Sequence, residues 1–216
     1  APILEQLGVS LVVSTYQAGK LITLGTHAGQ LATSIHHFDE ARGVAVHPRR
    51  IAVGTRGSVW ILQNVSQLAP RLPPIGRFDA CYLARQAILT GEIAGHEMAW
   101  IGDELWMVNT LFSCLCTVHN EFNFVPRWQP PFIRELSAHD RCHLNGMASD
   151  GSRPRYVTVL GESNEPAGWR GGQSAAGCLI DVVSGQSVCR GLCLPHSPRL
   201  HAGRLWLLQS GHGTLE

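Results

Sequence analysis

Three histidines, His96, His143 and His196, lie roughly 50 residues apart, a spacing of the length of a structural repeat, and each stands near another polar group, Glu97, Asn145 or Ser197. Imidazole nitrogens and one carboxylate suit a divalent transition metal such as zinc, iron or manganese. Ligands drawn from separate elements can surround an ion and leave a position open. Arg42 and Arg199 offer a second chemistry, because a guanidinium fork binds a carboxylate or phosphate bidentately. The residues expected at a metal are therefore His96, His143 and His196. Those expected around a small polar or anionic ligand are Arg42, Glu97, Asn145 and Arg199, with Trp128 on the rim.

Against the metal stands the lack of any helical His-Glu-x-x-His or paired Cys-x-x-Cys motif. The plainer alternative is that these side chains hydrogen-bond connecting loops and line a water-filled channel. Trp128 belongs to a segment with Arg127, Pro130, Pro131 and Phe132, where loop packing competes with ligand stacking. Cys114 and Cys116 are two apart on a strand and share a face, but Leu111, Phe112 and Leu115 around them favour buried thiols. The Ala18-Gly19-Lys20-Leu21 segment lacks the upstream glycine and the following Ser or Thr of a phosphate loop. No Gly-x-Ser-x-Gly elbow supports Ser197 as a nucleophile.

The elements that must position these residues repeat. Residues 11–24, 51–62, 105–118 and 205–215 each give an apolar strand, a small polar residue (Thr15, Thr55, Thr110, Ser210), a turn and a second apolar strand. A fifth copy is split, with Tyr156 to Leu160 and Gly177 to Val182 separated by an insertion rich in Gly, Pro and Trp, including Trp169, Gly171 and Gly172. A further strand precedes most copies, and aligning Ala45, Ala99, Ala148 and Leu200 gives a period of roughly 50 residues. Outer strands are expected at Gln30 to His37, Phe122 to Arg127 and Gln186 to Arg190.

Four strands per unit, with middle strands apolar on both faces, predict an all-β, β-propeller-like fold. About five four-stranded blades are visible, the first and last incomplete, in a truncated chain. The expected organisation is one propeller-like domain over 1–216, with partial blades at 8–38 and 195–216 and blades near 41–90, 95–135 and 142–191. In such a fold the residues just before each innermost strand converge on a channel mouth, which brings Arg42, His96, Asn145 and Ser197 together with Glu97, His143 and His196.

Composition narrows the partners. With 44% hydrophobic and 15% charged residues the chain can build a core. A net charge of +1 gives no electrostatic case for nucleic acid or an anionic membrane. No apolar run approaches the roughly 20 residues of a membrane-spanning helix. Seven cysteines, an odd and irregular set, argue for a reducing compartment, so the expected location is cytoplasmic.

The stretch FVPRWQPPFIRELSAHDRCHLNGMA (124–148), with RYVTVLGE (155–162), GWRGG (168–172), LPHSPRL (194–200) and upstream STYQAGKL, CYLAR, TGEIAGHEMAW and VNTLFSCL, resembles a bacterial family of conserved hypothetical proteins, a domain of unknown function. The resemblance covers essentially the whole chain. It implies a propeller-like fold, a longer parent chain and no particular activity.

Three functions follow as expectations. The first is binding of a small polar or anionic molecule at the channel mouth. The second is a metal-dependent hydrolase, lyase or oxygenase in which the histidines hold the ion and Glu97 is a ligand or general base. The third is a protein-interaction scaffold, with the 162–176 insertion contacting a protein partner.

Overall fold

The structure, a computed structural model, describes residues 1–171 and 175–216; Gly172, named above in the insertion, lies outside the described residues. The chain divides into two compact units, Ala1–Leu89 and Thr90–Glu216.

The first unit opens with a short helix, α1 (Pro2–Leu7), and continues as strands β1 (Leu11–Thr15), β2 (Lys20–His27), β3 (Gln30–His37), β4 (Val44–His47), β5 (Arg50–Gly54), β6 (Ser58–Asn64) and β7 (Tyr82–Leu89). They form an antiparallel three-stranded sheet, β1-β2-β3, and an antiparallel four-stranded one, β4-β5-β6-β7. Leu21, Ala41, Ile51, Val53 and Leu62 make its core, with Trp60 packed edge-on against Phe38 at 6.0 Å between ring centres.

The second unit holds β8 (Gly95–Ile101), β9 (Glu104–Asn109), β10 (Cys114–Thr117), β11 (Val125–Trp128), β12 (Leu144–Ser149), β13 (Pro154–Val159), β14 (Gly177–Asp181), β15 (Ser187–Leu192), β16 (Pro195–His201), β17 (Arg204–Gln209) and β18 (Thr214–Leu215). These meander into two four-stranded sheets, β8 to β11 and β12 to β15, and a three-stranded sheet, β16 to β18. Sheet packs on sheet through Val108, Leu115, Leu144, Met147, Val157, Val159 and Ile180. Burial on both faces explains the unbroken apolar runs: every residue of β10 and β14 is buried.

The fold class is all-β and propeller-like. Each of the repeated hairpins is present, as β1-β2, β5-β6, β9-β10, β13-β14 and β17-β18, and β4, β8, β12 and β16 are the strands that precede the last four. Outer strands carry mixed patterns because they face water; β7 and β15 are mostly exposed, and β7 was not anticipated. The outer strands expected from the sequence run Gln30–His37, Val125–Trp128 and Ser187–Leu192, so the second and third both begin and end later than expected. No helix among the described residues is long and apolar enough to cross a membrane.

One register expectation is corrected. Ala99 faces Trp106, Ala148 faces Tyr156 and Arg199 faces Trp206, so Arg199 rather than Leu200 is the repeat equivalent of Ala99. His196, not Ser197, therefore matches His96 and Asn145. The pairing shifts by one residue near the start of β8, β12 and β16, between Gly95 and Met98, Leu144 and Gly146, and His196 and Arg199. Bulges of this kind re-aim side chains, and here they lie at the positions that carry the polar residues.

Candidate functional site

Ahead of each inner strand of the second unit stands a residue in the left-handed backbone region: Ala94 at φ +48°, His143 at +49° and Leu194 at +49°. A side chain there costs on the order of 1 kcal/mol, so the turn geometry is imposed by the sheet that follows. Two residues after Ala94 and Leu194 come His96 and His196, and each is anchored in the same way. His96 Nδ1 lies 2.9 Å from Ala94 O and 2.7 Å from Thr110 Oγ1. His196 Nδ1 lies 2.9 Å from Leu194 O and 3.1 Å from Ser210 Oγ.

The hydrogen bonds fix the tautomers. A carbonyl oxygen only accepts, so both Nδ1 atoms donate, and Thr110 Oγ1 spends its own proton on Leu144 O at 2.6 Å. The neutral imidazoles then carry their lone pair on Nε2. Thr110 and Ser210 marked hairpin ends in the sequence; their part in orienting histidines was not foreseen.

His143 is held differently. Its Nδ1 donates to Asp140 Oδ2 at 2.8 Å, and the same oxygen accepts Trp169 Nε1–H at 3.0 Å. The Trp169 ring lies against the imidazole with centres 4.3 Å apart and planes at 40°, and His96 meets it edge-on at 5.0 Å. Arg170 stacks over Trp169 at 4.6 Å, and no ion pair joins it to a carboxylate among the described residues. Asp140 Oδ1 is buried and has no hydrogen-bond partner among the described residues. The loop is pinned from below by buried Arg141, which bonds Glu135, Asn164 O and Ser137. Thus the insertion folds back so that Trp169 closes one face of His143.

Glu97 ties three inner strands together. Its carboxylate accepts Met147 N–H at 2.9 Å and pairs with the Arg199 guanidinium, and its side chain is 13% exposed. Burial pushes the carboxyl up from its ordinary range, offset in part by Arg199, the Met147 N–H and His196. Asn145 is a second tether: its amide donates to Pro195 O at 3.0 Å and its oxygen accepts Thr158 Oγ1–H at 2.6 Å. Both polar ends of Asn145 are thereby engaged by protein.

The remaining expected residues are placed as follows. Arg42, in the first unit, pairs with Glu40 at 2.8 Å and stacks over Tyr16 at 4.5 Å. Trp128 packs against the apolar core of the second unit beside Trp106 and Phe132. His96 and His143 are neighbours, but among the described residues no group of three or more His, Cys, Asp or Glu is arranged to hold a metal ion. Cys114, Cys116, Cys142 and Cys178 are buried and free. Burial pushes the Cys142 and Cys178 thiols up to about 12, which leaves them unreactive.

Sequence reasoning named His143 but not its partners. Asp140 precedes it by three residues, a spacing that could have signalled the contact. Trp169 arrives from 26 positions further on, inside an insertion whose composition marked only a loop.

Two solved structures are similar in outline. One is the crystal structure of Myxococcus xanthus glutaminyl cyclase, at 15% identity and TM-score 0.45, covering 91% of this chain and 79% of that one. The other is a structural genomics protein of unknown function from Bacteroides thetaiotaomicron, at 8% identity and TM-score 0.43, covering 95% of this chain and 65% of that one. No curated protein matches the sequence. The family comparison covers residues 1–216 in full, and the chain belongs to the family described as Domain of unknown function (DUF4915).

Proposed function

We propose that the inner-strand mouth of the Thr90–Glu216 unit binds a small polar molecule that carries an anionic group. One comparison carries this reading. At the left-handed position before an inner strand the fold asks for nothing more than Ala94 or Leu194, yet in the middle sheet it holds His143, oriented by Asp140 and walled by Trp169. With Nδ1 donating to the carboxylate, Nε2 is the acceptor for a ligand hydroxyl or amine. The indole provides an apolar wall, and Arg170 a charge for a carboxylate or phosphate. Arg42 and Arg199, expected in that role, are engaged by Glu40 and Glu97. Asn145 is likewise engaged, so the polar contacts shift to His143 and Arg170.

Ligand-observed NMR against a library of small hydroxy acids and sugar phosphates tests the reading. Binding is expected in the wild type, lost in His143→Ala and weakened in Arg170→Gln. Binding indifferent to both variants overturns it. Metal analysis of protein purified without chelator runs beside it: stoichiometric metal that disappears in His143→Ala would replace this reading with the metal-dependent one. A protein captured through the 162–176 loop, with no small-molecule binding, would replace it with the scaffold.

A further inference from the structure

We infer that His143, positioned by Asp140, is a general base that takes a proton from water at the bound ligand, so that the site hydrolyses a small anionic ester. This rests on the ligand reading above and adds chemistry to it. Nδ1–H donated to Asp140 Oδ2 leaves the lone pair on Nε2, the arrangement a base requires. Trp169 N–H shares that oxygen, so the carboxylate is fixed from two sides and cannot turn its acceptor away from the imidazole. Asp140 Oδ2, accepting the Nδ1–H at 2.8 Å, sits where a carboxylate would pair with an imidazolium as it forms. The indole face keeps water from one side of the ring, and the His96 edge borders another.

The repeat supplies the control for a merely structural role. Ala94 and Leu194 hold the same backbone conformation in the flanking sheets without a carboxylate or an aromatic wall. Among the described residues, those in contact with His143 include Asp140 from its own loop, His96 from β8 and Trp169 from the insertion; Arg170 stacks on Trp169, and Arg141 is paired with Glu135.

In the step, a water O–H bond breaks and its proton passes to Nε2 while the oxygen bonds the ester carbonyl carbon. The tetrahedral species then expels the alkoxide or phenoxide with its electron pair. The imidazolium returns its proton to the leaving group, giving a carboxylic acid and an alcohol, and the acid then loses its own proton to solvent as the carboxylate.

The probe is 4-acetoxy-3-nitrobenzoate, an ester that carries a carboxylate, followed by release of its coloured nitrophenolate. Wild-type protein is expected to hydrolyse it faster than free imidazole at equal concentration, and His143→Ala to lose about a hundredfold in rate, the usual range for a general base. Ala94 shows that alanine suits this backbone position, so the variant is expected to fold, and circular dichroism checks it. Cys189→Ala, which removes the exposed thiol, should leave the rate unchanged.

Asp140→Asn should lower the rate and also move the His143 proton from Nδ1 to Nε2 in the ¹⁵N NMR spectrum; a structural role would not shift the tautomer. A His143→Ala rate equal to wild type overturns the inference. Absence of turnover with His143-dependent ligand binding intact also overturns it while leaving the binding reading standing. Absence of both removes the two together.

Discussion

The middle sheet of the second unit and the two that flank it start from the same backbone geometry and end in different chemistry. At the first and third mouths an apolar left-handed residue presents its carbonyl to the next histidine, Ala94 to His96 and Leu194 to His196, and a hairpin hydroxyl completes the clasp. At the middle mouth the left-handed residue is itself the histidine, and Asn145 occupies the place of His96, where it clasps the neighbouring strand. A repeat thus provides its own reference state: what all three mouths share belongs to the fold, and what one mouth adds is a candidate for function.

Changes to the shared framework should have the largest effects. Gly146→Ala would put a methyl group onto Pro198 Cδ and Thr158 Oγ1, with Ser197 N 3.0 Å away. Backbone and ring cannot yield as a flexible side chain would, so a loss of about 3 kcal/mol or more is expected in urea unfolding. A loss under about 1 kcal/mol would show that the inner strands are loosely packed.

Glu97→Ala comes next. It strands the Met147 N–H and leaves Arg199 without its carboxylate, for about 2–3 kcal/mol. Glu97→Gln keeps an acceptor for Met147 and should cost less. The two also differ in pH behaviour. Because burial raises the Glu97 carboxyl, the native state binds that proton more tightly than the unfolded chain. Its contribution to stability is therefore greatest on the acid side and falls as pH rises from the ordinary carboxylate value through the raised one. Glu97→Gln should remove this slope, as unfolding free energies measured from pH 4 to 7 would reveal.

Thr110→Val probes the clasp of the first mouth. It removes the donor to Leu144 O and the acceptor for His96 Nδ1, worth about 1–2 kcal/mol by chemical denaturation. The same change should leave the His96 proton on Nδ1, because Ala94 O still accepts it, as the ¹⁵N shifts would confirm.

The smallest effect tests the comparison most directly. Ala94→Gly should stabilise by about 0.5–1 kcal/mol, because glycine enters the left-handed region without strain. His143→Gly relieves the same strain but deprives Asp140 of a hydrogen bond, so its gain should be smaller or absent. Equal gains in melting experiments would mean that the Asp140 contact contributes nothing to the fold.

Much of the framework was legible before any coordinates. Apolar strands ending in Thr15, Thr55, Thr110 or Ser210 announced the hairpins, because alternation and turn chemistry act over a few residues. The strand before each hairpin could be found, but its register could not. Leu200, the apolar residue in the last such strand, looked like the counterpart of Ala99, whereas the residue that faces Trp206 as Ala99 faces Trp106 is Arg199. Trp128, for which the sequence left loop packing and ligand stacking in competition, lies against the core. Arg199 looked available to an anion and is paired with a carboxylate from a strand about a hundred residues earlier in the chain, a distance no local pattern spans.

By itself, then, the amino-acid order determined the meander of short strands, the burial of the middle ones and the recurrence of histidine near the start of inner strands, since each follows from periodicity and turn propensity. Only tertiary structure decided which of these residues act together. Trp169 reaches Asp140 and His143 because the insertion folds back over them, and Glu97 meets Arg199 because sheets pack side by side. Side-chain chemistry is written locally, whereas its neighbours are chosen by packing across many residues of intervening chain.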